Sequence, residues 1–152
     1  ASFGVADSVP LYGSGFLTSP LYVNAEGPAA KGVVTSLHYV PTIDSPQNAA
    51  FVKAFSAAYG HAPSEYAVQG YDAGQALVEA VKSGATDRAA LADALGKVRF
   101  TSPRGPVEID PATNNIVQNI YIYETVQGDG TLTQKILDVA KAVRDPVSGC
   151  QK

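Results

Sequence analysis

Apolar residues recur at helical spacing across residues 46–81, and this stretch organises the reading of the whole chain. Ser45 suits an N-cap, and Pro46 then takes the first helical position, where a missing N–H costs nothing. Phe51, Val52, Phe55 and Tyr59 fall on one face of the predicted helix. Gly60 ends it and Pro63 bars its resumption. A second helix follows the Gly-His-Ala-Pro turn, capped by Ser64, with Ala67, Gly70, Tyr71, Gly74, Leu77, Val78 and Val81 on one stripe. An interior glycine costs about 1 kcal/mol against alanine, so Gly70 and Gly74 on that stripe imply unusually close packing by a partner.

Strand patterns surround the helix pair. Residues 9–12 read as a short buried strand ending in a Gly13-Ser14-Gly15 turn, and residues 32–40 as a β-branched strand. Residues 18–30 read as loop or short helix, broken by Pro20, Gly27 and Pro28. Thr86 reads as the cap of a third helix over residues 87–97, with Leu91, Leu95 and Val98 inward. Residues 100–106 read as a loop. Residues 107–109 and 116–126 form a predicted antiparallel pair, with Val117, Asn119, Tyr121 and Tyr123 sharing one face of the longer strand. After a turn at Gly128 and Gly130, Ile136, Leu137, Ala140 and Val143 fit helical spacing, which leaves residues 131–143 open. The class is α/β.

Composition narrows the field. At 45% hydrophobic and 16% charged the chain is globular. A net charge of −3 without a basic run argues against a nucleic-acid partner. No apolar run approaches the roughly 18 residues a spanning helix needs, and no charged-then-apolar leader is present. Methionine is lacking throughout, so the expectation is a processed chain or a piece of a longer one. A self-sufficient small α/β domain is the alternative. His38, His61 and Cys150 show no ligand spacing, so neither a metal site nor a cofactor is expected. Cys150 reads as a free thiol, or as half of a bridge whose partner lies elsewhere.

Five segments in order carry a family resemblance. The helix N-x-x-F-V-x-A-F, the turn Y-G-x-x-P and the helix Y-A-x-Q-G-Y-D-A are preceded by VPLYGSGFLTSP and AAKGVVTSLHYVP, and followed by FTSPRGPVEID and IVQNIYIYETV. Together they resemble the C-terminal half of type I periplasmic solute-binding proteins, the branched-chain amino-acid-binding proteins that feed ABC importers. The resemblance implies part of a two-lobe fold, with parallel sheets flanked by helices and hinge crossovers, lacking its N-terminal half. Residues 1–40 would end the second lobe and cross over, residues 41–106 return to the first lobe, and residues 107–152 supply the final strands and tail. It also implies a periplasmic or membrane-tethered extracellular location, a small-molecule ligand and a membrane permease as partners, and association with the missing half or a second copy.

Candidate sites divide by spacing. Gly13-Ser14-Gly15 fits neither the G-x-S-x-G nucleophile elbow nor a dinucleotide fingerprint, which needs a glycine where Thr18 stands. It reads as a tight turn, or as a loop at a strand's carboxyl end where open α/β sheets bind ligands. His38 and Tyr39 close a strand before Pro41, and the resemblance places them at a hinge beside the cleft. A hydrolytic site, either Ser36 with His38 and Asp44 or Ser14 with His38, is a rival reading. Tyr66 is a packing aromatic by itself; in relatives the matched position faces the ligand. Asp72 and Glu79 read as solvated charges, and Asp110 with Pro111 and Asn114 as a turn rather than a calcium loop. Amino-acid-binding relatives hold the ammonium with an acid where this chain has Gly15, and no acid occurs between Pro10 and Leu21. A buried ammonium without a carboxylate is unfavourable. Ser14, Gly15, Phe16, His38, Tyr39 and Tyr66 are therefore the expected binding residues for a small organic acid, aromatic or branched aliphatic. Amino-acid binding and a ligand-sensing regulator remain the alternatives within the fold, and no catalytic residue is assigned.

Overall fold

A computed structural model describes residue 4 and residues 8–146. Cys150 lies outside them. In chain order the elements are β1 (Tyr12–Ser14), α1 (Val23–Glu26), β2 (Val34–Leu37), α2 (Pro46–Tyr59), α3 (Glu65–Lys82), α4 (Arg88–Leu95), β3 (Arg99–Ser102), β4 (Gly105–Ile109), β5 (Ile116–Gln127) and β6 (Leu132–Val143). Turns of 3-10 helix at Gly15–Thr18 and Gly27–Ala30 flank α1.

The helix pair forms for the reasons its sequence states. The Ser45 hydroxyl accepts from the Asn48 N–H and the Ser64 hydroxyl from the Ala67 N–H, each relieving an orphan donor of a first turn. Gly60 closes α2 at φ 76°, the left-handed conformation glycine adopts freely. The cap of α4 lies one residue beyond Thr86: Asp87 Oδ1 accepts from the Ala90 N–H at 2.9 Å.

The strands depart further from the sequence pattern. β1 sits at Tyr12–Ser14 and is exposed throughout, rather than buried at residues 9–12. Residues 100–106 are no loop but most of the β3–β4 hairpin, with Gly105 at φ 97° completing its tight turn. Residues 131–143 are the strand β6, not a helix. The sheet runs β1-β2-β5-β4-β3, with β6 also on β5. Among the described residues only β1 and β2 run parallel; β3–β4, β4–β5 and β5–β6 succeed one another in the chain and pair antiparallel, as does β2 with β5.

The core lies where α2 and α3 pack on β2 and β5, built from Leu37, Tyr39, Val40, Ile43, Phe51, Val68, Tyr121 and Tyr123. Tyr121 and Tyr123 share one face of β5 with Val117, and all three are buried. Asn48 holds the entry to α2: its amide donates to the Pro41 and Ile43 carbonyls, each at 2.8 Å, and its Oδ1 accepts from the Tyr39 hydroxyl at 2.9 Å. The buried amide is thus satisfied on both sides. The opposite face of α3 is bare. Leu77, Val78 and Val81 are exposed, Tyr71 is covered on one side only, by Phe51, and a Cβ added at Gly70 or Gly74 would meet nothing within 4 Å. The close-packing partner those glycines imply is not among the described residues.

Candidate ligand cleft

The end of β1 and the start of α3 come together. Gly15 opens the 3-10 turn that follows β1, and it is buried because Tyr123 and Leu37 crowd its backbone. Its carbonyl accepts from the Tyr123 hydroxyl at 3.3 Å. A Cβ placed at Gly15 would stand 2.4 Å from that hydroxyl oxygen, 2.5 Å from Leu37 Cβ and 2.9 Å from the Ser36 carbonyl. Gly15→Ala is therefore expected to destabilise the chain by about 1–3 kcal/mol through overpacking. A urea midpoint equal to the parent's would show that the turn moves aside freely.

The same turn presents Phe16 outward, where its ring stacks on Tyr66 at a centroid distance of 5.9 Å and an interplanar angle of 28°. Both rings are about half exposed, an apolar wall with room on one side. The Tyr22 hydroxyl donates to the Phe16 carbonyl, which fixes the turn's pitch. Ser14 is exposed at the end of β1, opposite Ser36 of β2.

His38 follows β2 and is buried against α3, where Gln69 Nε2 lies 3.3 Å from its Nε2. Burial, and then the Arg104 charge, push its pKa below the ordinary imidazole value, so the ring is neutral at pH 7. The main chain of Glu65 works to raise the pKa of the ring. Its hydrogen-bonding partner is thus Gln69 of α3 rather than Ser14 or Ser36, and the hydrolytic arrangement finds no support in this geometry. Tyr39 turns away from the others into the core, its hydroxyl on Asn48 and its pKa driven up by burial. His61 is exposed in the α2–α3 turn. Among the described residues, no group of three His, Cys, Asp or Glu side chains is placed to hold a metal ion.

Sequence reading missed Glu65 and Arg104. Glu65, in the first turn of α3, is fully buried; its Oε2 accepts from the Ser19 hydroxyl at 3.0 Å and its Oε1 has no partner among the described residues. Its charge helps raise the pKa of both Tyr22 and Tyr123, though burial is the larger cause at each. Asp72 is not a solvated charge. It is buried and pairs with the buried Arg104 at 2.6 Å, and Arg104 Nη1 also donates to Gln118. No spacing rule links residues 32 positions apart in this way; only the run Ser-Pro-Arg-Gly, a tight turn with a charge at its tip, hints that Arg104 is held inward.

Comparisons with known proteins identify the family to which the chain is similar. Residues 1–131 match the family described as periplasmic binding protein. The Leu/Ile/Val-binding protein homolog 6 of Brucella abortus is 34% identical over 147 residues, covering 93% of this chain and 37% of that protein. A solute-binding protein of an ABC transporter from R. palustris, solved with benzoate, is 42% identical with a TM-score of 0.82, over 98% of this chain and 41% of the other. Another, from Rhodopseudomonas palustris BisB5 with 3,4-dihydroxybenzoic acid, is 36% identical with a TM-score of 0.87, over 95% and 41%. The chain thus spans about two fifths of the length of these relatives. With the α/β order of its elements, the match over most of its length and the shared fold, the chain belongs to the periplasmic binding protein family.

Proposed function

We propose that this chain is the cleft-forming portion of a solute-binding protein that captures a small organic acid, aromatic or branched aliphatic, and delivers it to the permease of an ABC importer. The observation that carries the reading is the Phe16–Tyr66 stack, where two chain-distant aromatics meet. Small-ligand clefts are apolar walls with a few convergent polar groups. Ser14, Gly15, Phe16, His38 and Tyr66 are the binding residues in this reading, and Tyr39 supports them from the core through Asn48. In this reading residues 1–40 end the second lobe and cross over, residues 41–106 return to the first lobe, and residues 107–152 supply the final strands and tail. The remainder of the protein supplies the first lobe, and the whole works in the periplasm. No bond is made or broken: the ligand binds the closed arrangement of the lobes better than the open one, and that difference drives closure.

Tyr66→Ala is expected to remove packing worth about 1–3 kcal/mol, a roughly ten- to hundred-fold loss of affinity in the complete protein. Calorimetry with benzoate, 3,4-dihydroxybenzoate and leucine reads it. Tyr71→Ala is the control. Tyr71 packs on Phe51 at a centroid distance of 4.9 Å, so its loss should lower stability more than affinity. The opposite pattern, binding kept without Tyr66 and lost without Tyr71, would place the ligand on another face.

A further inference from the structure

The turn at residues 13–16 lacks the acid that would hold an ammonium. The fold brings one to the same place from α3. Glu65 is 0% exposed, and its two oxygens have unequal surroundings: Oε2 accepts from Ser19 at 3.0 Å, while Oε1 has no donor among the described residues. Around it stand the parts of the candidate cleft. Ser19 lies just beyond the turn bearing Phe16, and Tyr66, the next residue after Glu65, carries the ring on which Phe16 stacks. His38 lies against the same helix, its Nε2 3.3 Å from Gln69 Nε2. Asp72 Oδ1 and Thr125 Oγ1 also lack partners, but Asp72 is neutralised by Arg104 and Thr125 carries no charge. Of the two carboxylates, Glu65 is the one with neither a cation nor a full set of donors among the described residues.

We propose that Glu65 is the specificity-determining residue of the cleft, its Oε1 accepting a hydrogen bond from an O–H or N–H group of the bound solute. The proposal rests on the solute-binding reading above and names the ligand class more narrowly: a small acid that carries a hydroxyl or an ammonium beside its apolar body. A buried acceptor without a donor is unfavourable, so a solute that delivers one gains doubly, and an analogue offering only C–H at that point is rejected. Ser19 holds the carboxylate in one orientation, which leaves Oε1 as the oxygen free to discriminate.

The test uses the complete protein that carries this chain, titrated in a calorimeter with benzoate, 3,4-dihydroxybenzoate and leucine. Benzoate has the apolar body without the donor. The parent is expected to favour one donor-bearing probe over benzoate by about tenfold or more. Preference for dihydroxybenzoate identifies a hydroxyl as the donor, and preference for leucine identifies an ammonium. Glu65→Met should erase that preference while leaving benzoate affinity within about threefold of the parent. Glu65→Gln keeps an acceptor for Ser19 and so guards against a misfolded methionine variant. It should retain part of a hydroxyl preference and abolish an ammonium one. Equal parental affinity for all three probes would overturn the proposal, as would variants that lose all three alike with a lowered melting temperature, since Glu65 would then be only structural. A parent that binds none of them refutes the solute-binding reading itself, and the proposal falls with it. Benzoate binding without discrimination refutes the role of Glu65 alone.

Discussion

Replacing Arg104 with methionine is expected to destabilise the protein by about 3–5 kcal/mol, because it leaves Asp72 charged and buried without its partner. The two side chains are 5% and 6% exposed, so solvent screens neither. Asp72 Oδ1 already lacks a hydrogen bond, and loss of the guanidinium would strip Oδ2 as well. The pair joins α3 to the β3–β4 hairpin, and Arg104 ties in β5 through Gln118 and through the Tyr121 hydroxyl on its own carbonyl. Urea unfolding of Arg104→Met and of Arg104→Met with Asp72→Leu separates charge from packing. The double variant should recover most of the loss, since apolar replacement of a buried pair is often neutral. A single variant within about 1 kcal/mol of the parent would show that the pair is solvated, as exposed pairs contribute no more than that. His38 supplies an independent readout. The Arg104 charge lowers its pKa and Asp72 raises it, so the single variant should titrate at higher pH than the parent. The sign for stability follows. A histidine held below its unfolded value of about 6.5 makes the fold lose stability as pH falls through that value, and the variant should lose less of it.

The isolated 152-residue chain is expected to associate and to bind none of the three acids with submicromolar affinity. Tyr59, Tyr71, Leu77, Val78 and Val81 are all more than 45% exposed on neighbouring helices. Soluble monomers rarely leave a contiguous apolar area larger than about 300–600 Å² uncovered. The absent part of the protein is the natural cover, and a second copy is the substitute when only this chain is present. Light scattering giving a clean, well-folded monomer, or calorimetry giving submicromolar binding by that monomer, would mean that the chain is sufficient by itself.

The helices were legible because each carries its own instructions. Ser45, Pro46, Gly60, Pro63 and Ser64 act within a turn of their position, and the structure honours them. The strands were less so. In β6 the register against β5 skips residues, passing from Asp138 to Ile136 and from Val143 to Ala140, and Ala142 adopts φ 49°. These bulges break the two-residue alternation, and what remains of the apolar pattern mimics helical spacing. Residues 100–106, read as a loop, hold Pro103, Gly105 and Pro106 in and beside a two-residue hairpin turn that no apolar pattern announced. In the candidate cleft, proximity decided legibility. Phe16, His38 and Tyr66 stood out as chemistry at element ends, whereas Glu65 and Arg104 matter through partners 46 and 32 residues away.

The bulges of β6 have a further effect. Among the described residues, β6 pairs only with β5, which leaves its other edge with unpaired donors and acceptors. A straight edge of twelve residues would template further strands and, in time, cross-β aggregates. Two interruptions in register twist this edge, and Lys135, Asp138 and Lys141 place exposed charges along it. Growth of fibrils from that side is thereby discouraged, and self-association of the chain is directed to its helices, where contact between copies can saturate rather than propagate.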